Sequence, residues 1–328
     1  MQISTTKSTA TLFTTWTAQF GRELNVVVDG SRIPTTNCPK ILGVTFDTTF
    51  TSCAHATPIC DKLESRNKVL KSLAGSTLGA DKETLLATYN AIGRSVVSYA
   101  APVWSPRLCD TNWKKIQTCQ NAALRTATGC LLKSSVDHLH EEAKILPVKQ
   151  HNEMLSMEYL LGCYRVSHPN HHLVGRPGPF REIRKDIHAL EGEFQRYRRE
   201  PLDQQAYQAG LNSIHTDAFA KALSKYSVNK VLGVHPPSIA AEERQLPRQT
   251  RVVLAQLRSG YCSRLNSYWA EIDRAVQDIC PVCGMGPHDT QHLFNCPAKP
   301  SHLTPGDLWL HPIEAAIFLE LEIDPEPD

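Results

Sequence analysis

The chain has 328 residues, 41% of them apolar, and its 35 Lys and Arg nearly balance its 33 Asp and Glu, for a net charge of +2. The length suggests about two domains with buried cores. The small net charge of the whole chain excludes no class of partner, since charge has to be considered segment by segment. The N-terminal MQISTTKSTA lacks the apolar region of a secretory signal, and no stretch approaches the ~18 apolar residues of a spanning helix. We therefore predict an intracellular protein of the nucleus or cytoplasm, without a membrane partner, whose cysteines are mostly reduced and buried.

Residues 8–47 carry the β signal of the chain. STATLFT, ELNVVVDGSRI and PKILGVTFD are short runs rich in β-branched residues, and Asp29 and Gly30 form a strong hairpin signal. Helical periodicity follows, which predicts an α+β chain that is mostly α. The predicted helices span residues 56–75, 83–100, 111–127, 135–145, 148–166 and 205–232.

The stretch HPNHHLVGRPGPF (168–180) crowds Pro, Gly and His, and it predicts a boundary. We expect a linker at 169–204, where the dense mixed charge of residues 181–200 favours a solvated helix. A helical connection region at 205–270 ends in a basic stretch. After Lys299 the chain has seven acidic residues and no Lys or Arg, which predicts an acidic C-terminal tail at 301–328.

The stretch CPVCGMGPHDTQHLFNC (280–296) has the spacing of a zinc site. Cys280 and Cys283 form a Cys-x2-Cys pair within a Pro- and Gly-rich turn, and His292 and Cys296 lie one helical turn apart. Four ligands from 17 residues predict a closed, structural Zn²⁺ site in a knuckle at 271–300 whose folding the metal would support. His288 is an alternative to His292, and a chance cluster in a Cys-rich chain is the alternative to a metal site.

The stretch RQLPRQTRVVLAQLRSGYCSRLNSYW (244–269) is basic and contains no acidic residue. It predicts an amphipathic helix on which Arg248, Arg251 and Arg258 share an edge, followed by aromatic residues. Arginine pairs with phosphate and aromatic rings stack on bases, so this region is a candidate nucleic-acid surface. A helix packed on the core with a solvated basic edge is the alternative.

Several segments in order along the chain resemble the C-terminal part of a non-LTR, LINE-type retrotransposon reverse transcriptase, with a jockey-like character. They cover nearly the whole chain and end in a resemblance to the tail that follows the polymerase. The segments are KSTATLF (7–13), PKILGVTFD (39–47), LKSLAG (70–75), YAAPVW (99–104), IQTCQNAALRTATG (116–129), LHEEAKILPVKQH (139–151), LPRQTRVVLAQLRSGYC (246–262), the Cys/His stretch and PGDLWLHPIEAAIFL (305–319).

The resemblance implies a role for each part. Residues 1–50 would end the palm and include the primer grip around residues 42–44, and residues 51–168 would form the helical thumb that holds the template–primer duplex. Candidate phosphate contacts follow on the thumb, with a solvated basic face as the alternative for the first four. They are Lys62, Arg66, Lys68, Lys71 and Arg125.

The catalytic aspartates of the family would lie upstream, since polymerisation requires two metal ions held by carboxylates and this chain has no Asp-Asp pair. We therefore expect an RNA- or DNA-binding and zinc-binding fragment that uses Mg²⁺ only when it is joined to the missing palm and fingers. A retained non-enzymatic nucleic-acid-binding protein, and a protein-interaction module built on the knuckle, are the alternatives.

Overall fold

The structure is a computed structural model that describes residues 4–75, 79–173 and 202–323. It divides into two compact units. Unit 1 comprises Met1–Ser65, Gly93–Cys119 and Leu146–Ala222, and unit 2 comprises Arg66–Ile92, Gln120–Ile145 and Leu223–Asp328. Each unit is therefore assembled from three separated segments of the chain.

The described part of unit 1 contains two short antiparallel hairpins. The first pairs β1 (Val27–Val28) with β2 (Ser31–Arg32), and the second pairs β3 (Lys40–Ile41) with β4 (Val44–Thr45). Asp29 and Gly30 both have positive φ, 48° and 75°, as a two-residue hairpin turn requires. The predicted hairpin is confirmed, while STATLFT contributes a single bridge between Ala10 and Thr35.

The rest of the described chain is mostly helical, in agreement with the predicted class. Pro147 precedes one helix and Gly129 follows another, while Pro102 lies in the first turn of a short helix that begins after a break at Ala100. The helices are α1 (Cys53–Leu73), α2 (Lys82–Thr88) with a π-helical continuation (Tyr89–Arg94), α3 (Ser95–Ser98), α4 (Ala101–Trp104), α5 (Asp110–Thr128), α6 (Val136–Ala143), α7 (Val148–Cys163), α8 (Gln204–Leu223), α9 (Arg248–Arg258), α10 (Asn266–Ala270), α11 (Thr290–Asn295), α12 (Asp307–Leu310) and α13 (Pro312–Phe318).

The core of unit 1 is built around Trp104. Its ring lies 5.4 Å from that of His55 and 5.8 Å from that of Trp113, and its indole N–H donates to the carbonyl of Tyr99 at 2.9 Å. Aliphatic side chains from α1 and α5 complete the cluster, among them Leu63 and Ile116. The starts of α1 and α5 are thus fixed against one aromatic centre.

Among the described residues of unit 2, α9 contributes to two apolar clusters. Leu254 and Leu257 belong to a cluster with Trp309, and Ala255 belongs to another with Leu139. Because one helix is buried on both of these faces, few of its side chains reach solvent.

Part of the segment predicted as an acidic tail also packs into unit 2. Leu308 and Trp309 of α12 and Ala315 and Ala316 of α13 are buried in the cluster that contains Leu257. The predicted linker helix at 181–200 lies outside the described residues, as do residues 324–328. Within the described ranges, no helix combines the length and apolar content needed to cross a bilayer.

Gly129 ends α5 with a φ of 77° and lies against Val252 of α9. A Cβ atom at this position would stand 2.5 Å from Cγ1 of Val252, well inside contact distance. Gly233 has a similar φ, 71°, with nothing within 4 Å of the same position. Comparing Ala substitutions at the two glycines therefore separates the energetic cost of the left-handed backbone from the cost of overpacking.

We predict that Gly129→Ala lowers the free energy of unfolding by more than Gly233→Ala does. The left-handed backbone costs each variant about 1–2 kcal/mol, and overpacking against Val252 adds about 1–3 kcal/mol to the first. Urea denaturation followed by circular dichroism measures both. Equal losses in the two variants would contradict the close packing of α5 against α9.

Candidate metal centre and basic surface

Cys280, Cys283, His292 and Cys296 come together in unit 2. One ligand atom from each, a Sγ or an imidazole nitrogen, lies within 4.8 Å of all the others. In tetrahedral zinc the ligand atoms stand ~2.0–2.3 Å from the metal, which places them roughly 3.5–4 Å apart. The donor set and its spacing therefore fit a four-coordinate metal ion such as zinc.

The local sequence explains how four ligands converge. Gly284, with a φ of 73°, closes a turn in which its N–H donates to the carbonyl of Cys280 at 2.9 Å, and the N–H of Cys280 donates to the carbonyl of Met285 at 2.8 Å. Asp289 then caps α11 by accepting from the N–H of His292 at 2.8 Å. The turn thus presents the first two ligands, and the capped helix presents the third.

Hydrogen bonds prepare one thiol of the cluster for ionisation. Burial raises the pKa of Cys280, but the backbone N–H groups of Cys283 and Val282 outweigh it and bring that pKa down to about 7. The N–H of Met285 lowers the pKa of Cys283, yet burial and the thiols of Cys296 and Cys280 raise it above its ordinary value. Neighbouring thiols resist losing their protons together, because their negative charges repel one another. A bound divalent cation offsets that repulsion.

The structure places His292, and not His288, among the cysteines. Nε2 of His292 lies 3.2 Å from Sγ of Cys283. His288 is buried, and its Nδ1 accepts from the backbone N–H of Asn266 at 3.0 Å. Its role is therefore to join the Cys/His segment to the start of α10.

The Cys/His segment rests on the core of unit 2. Phe294, between two of the ligands in sequence, is buried in the cluster that contains Trp309, and its ring lies 5.6 Å from that of Phe318. The hydroxyl of Thr290 donates to the carbonyl of Leu257 at 3.1 Å. Apolar packing and a buried hydrogen bond thus hold α11 in place beside the metal ligands.

We predict that Cys283→Ser lowers the affinity for zinc at least about 100-fold, because loss of outer-sphere partners alone costs 10–100-fold. The turn at residues 280–288 should loosen while the other helices persist, since Phe294 keeps its packing. Metal content after dialysis against zinc, together with circular dichroism, measures both effects. Cys38→Ser, at an exposed cysteine outside the cluster, is the control, and equal zinc in the two variants would refute the ligand set.

The four predicted phosphate contacts of α1 are exposed. Lys62 and Arg66 lie four residues apart and Lys68 and Lys71 three apart, so each pair projects from one part of the helix surface. Only one acidic residue, Glu64, lies between the first and last of them. The cationic heads on α1 are accessible to an anionic ligand.

Arg125 and Arg248 are half-buried and bind backbone carbonyls. Arg125 donates to the carbonyls of Leu131, Leu132 and Ser134 at 3.4–3.5 Å. Arg248 donates to those of Thr126 at 3.2 Å and Ala127 at 3.5 Å, and burial lowers its pKa. Both stabilise the C-terminal end of α5 or the loop that follows it, where free carbonyls favour a cation.

Arg258 is fully buried and spans two carboxylates of unit 2. Its Nε and Nη2 donate to the two oxygens of Glu142 at 3.0 and 2.8 Å, and its Nη1 donates to Glu243 at 2.5 Å and to the carbonyl of Leu308 at 2.9 Å. The guanidinium therefore joins α6, α9, α12 and the 3₁₀ turn Ala241–Gln245. No face of it remains for a phosphate.

Arg251 is buried beside this group and donates to both oxygens of Glu83, at 2.5 and 2.6 Å. Lys82 donates to Glu142 at 2.6 Å. Three cations and three carboxylates thus form one charge network in unit 2. Burial raises the pKa of Glu142, but Arg258 and Lys82 outweigh it and hold that pKa far below its ordinary value.

The amphipathic pattern of α9 predicts a helix with a basic edge, and the helix is present. The pattern does not disclose that Arg251 and Arg258 are buried. Their partners Glu83 and Glu142 lie more than 100 residues away in the sequence, and Glu243 lies on a short turn. The one local signal is the acidic pair Glu242 and Glu243 just before the basic stretch.

We predict that Glu142→Gln lowers the free energy of unfolding by about 3–5 kcal/mol, because it leaves buried cations uncompensated. Glu271→Gln, which removes an exposed partner of Lys133, should cost about 1 kcal/mol or less. Urea denaturation of both variants makes the comparison.

The same variant tests the pH dependence. A carboxyl with a depressed native pKa contributes stability above its ordinary value of 4.5, and that stability is lost as the pH falls toward the native pKa. The difference between wild type and Glu142→Gln should therefore shrink below pH 4.5. A difference that is constant from pH 7 to pH 3 would contradict the charge network.

Comparison with known proteins finds a similarity to a transposon polymerase. Over 125 residues, 38% of this chain, the sequence is 31% identical to the probable RNA-directed DNA polymerase from transposon X-element of Drosophila melanogaster, and the match spans 13% of that protein. No protein-family model and no solved structure matches the chain. The similarity supports a relationship to reverse transcriptases of transposable elements.

Proposed function

We propose that the chain is a nucleic-acid-binding C-terminal part of a LINE-type, jockey-like reverse transcriptase, with a structural zinc ion in its Cys/His cluster. The observation that carries the proposal is the similarity to the transposon RNA-directed DNA polymerase. Residues 51–168 would act as the thumb, and the ligand would be the template–primer duplex of RNA and DNA.

The exposed cations of α1 supply the surface for this role. Lys62, Arg66, Lys68 and Lys71 reach solvent from one long helix, and such side chains bind phosphates without reading sequence. Arg251 and Arg258 are enclosed with carboxylates, and Arg125 and Arg248 are bound to carbonyls. The proposed contact therefore rests on α1.

The proposal assigns no catalysis to the chain alone. Polymerisation requires two metal ions held by carboxylates. Across the described ranges, His, Cys, Asp or Glu ligands gather in groups of three or more only at the Cys/His cluster. Mg²⁺ chemistry would come with the upstream palm and fingers, and primer extension by the isolated chain would contradict this assignment.

We predict that the full chain binds a primed RNA–DNA duplex with an affinity that falls as salt rises. Each phosphate contact contributes about 0.9 to the slope of log K against log salt. A variant with Gln at residues 62, 66, 68 and 71 should bind more weakly and with a shallower slope. Fluorescence anisotropy at several salt concentrations measures both.

The control replaces four exposed cations elsewhere with Gln, and so lowers the net charge equally. These are Arg22, Lys144, Lys225 and Arg274. The control should keep the wild-type slope. Equal slopes in the two variants would refute a specific surface on α1, and no binding at low salt would refute the nucleic-acid function.

A second candidate function is a protein interface at the Cys/His segment. Trp269, Ile272, Ile279, Val282 and Met285 are exposed around it, Val282 by 63%. Residues 271–300 carry four acidic and two basic side chains, which disfavours phosphate. Val282→Ser with Met285→Ser should leave duplex affinity unchanged if this surface binds protein, and should lower it if the surface stacks on bases.

A further inference from the structure

Two cysteines of unit 1, far in sequence from the metal cluster, lie side by side. The Sγ atoms of Cys53 and Cys109 are 3.9 Å apart, with Cys109 exposed and Cys53 half-buried. This is a non-bonded contact, whereas a disulfide requires ~2.05 Å. A bond would bring the two Sγ atoms closer by about 1.9 Å.

Both thiols stand at the start of a long helix. Cys53 is the first residue of α1, and Cys109 immediately precedes α5. The backbone N–H of Asn112 lowers the pKa of Cys109, and the thiol of Cys53 and the N–H of Thr111 add to that effect. A larger thiolate fraction makes Cys109 the better nucleophile of the two.

The segments that carry the two thiols are already held together. His55 and Trp113, just inside α1 and α5, both contact the ring of Trp104. The guanidinium of Arg107 lies 5.9 Å from the ring centre of Phe50, so the residues before each cysteine also meet. The sulfur pair is therefore fixed by the fold and does not depend on a chance encounter.

We propose that Cys53 and Cys109 form a reversible disulfide on exposure to a peroxide. The Cys109 thiolate attacks one peroxide oxygen, which breaks the O–O bond, gives a sulfenic acid and releases water after protonation. Cys53 then attacks Sγ of Cys109 and displaces the hydroxyl as a second water. Two thiols and one hydrogen peroxide give one disulfide and two waters, and a small thiol reductant reverses the bond.

The same two helices supply an internal control. Cys60 of α1 and Cys119 of α5 also contact one another through their thiols, but burial raises both pKa values, that of Cys119 to about 12. Adjacent sulfurs alone would predict that both pairs react. Exposure and the helix N-terminus predict that only Cys53 and Cys109 do.

The experiment treats the full, zinc-loaded chain with hydrogen peroxide at neutral pH, alkylates free thiols and maps tryptic peptides. Cys109 lies on residues 108–114 and Cys119 on 116–125, while Cys53 and Cys60 share 41–62 and are separated by fragmentation. We expect a link between Cys53 and Cys109 that forms before any other link and is removed by dithiothreitol. Unmodified thiols, direct overoxidation of Cys109, or an earlier link between Cys60 and Cys119 would each overturn the proposal.

Two single variants assign the roles. In Cys53→Ser the sulfenic acid on Cys109 has no partner, so dimedone should label it severalfold more than the exposed, solitary Cys38. In Cys109→Ser the link should vanish while Cys53 stays alkylatable. Labelling of Cys109 no greater than that of Cys38 would refute its role as the attacking thiol.

Discussion

A single buried guanidinium sets the arrangement of unit 2. Arg258 binds Glu142, Glu243 and a backbone carbonyl at once, so four separate elements must meet at its position. An unpaired charge there would cost several kcal/mol, which makes partial assembly of these elements unfavourable. Since α9 carries Arg258 at its end, the position of that helix follows from the charge network as much as from its apolar faces.

The position of the candidate metal centre depends on the same helix, α9. Thr290 binds the carbonyl of Leu257, the residue before Arg258, and Phe294 packs into the cluster on α9. Contacts with α9 and its apolar cluster thus hold α11, the helix that carries His292. A metal ion would add to a partly formed structure by fixing the turn of Cys280 and Cys283, which has less packing of its own.

Local rules account for what the sequence predicts well. The hairpin at Asp29 and Gly30 needs only two residues of positive φ, and α5 ends where Gly129 permits it. The Cys/His spacing likewise brings four ligands together from 17 residues. Each signal lies within a few turns of chain, so a single sequence is enough to read it.

Long-range charge pairing accounts for what was missed. The edge of α9 looks like a solvated basic surface, because nothing near Arg258 in sequence discloses Glu142. The thiol pair of Cys53 and Cys109 is hidden in the same way, by 56 residues of separation. The cations of α1 pose no such difficulty, since their helical spacing alone places them beside the buried stripe of Leu63 and Leu70.

The interleaving of the two units has a consequence for the order of synthesis. Unit 1 draws on chain up to Ala222, and unit 2 begins with Arg66 and closes only with α13. An emerging chain therefore holds incomplete cores of both units for much of its translation, and contacts between segments distant in sequence form slowly. For the same reason, a fragment that begins at a linear boundary such as residue 205 would lack Glu142, which leaves Glu243 as the one remaining carboxylate of the two that bind Arg258.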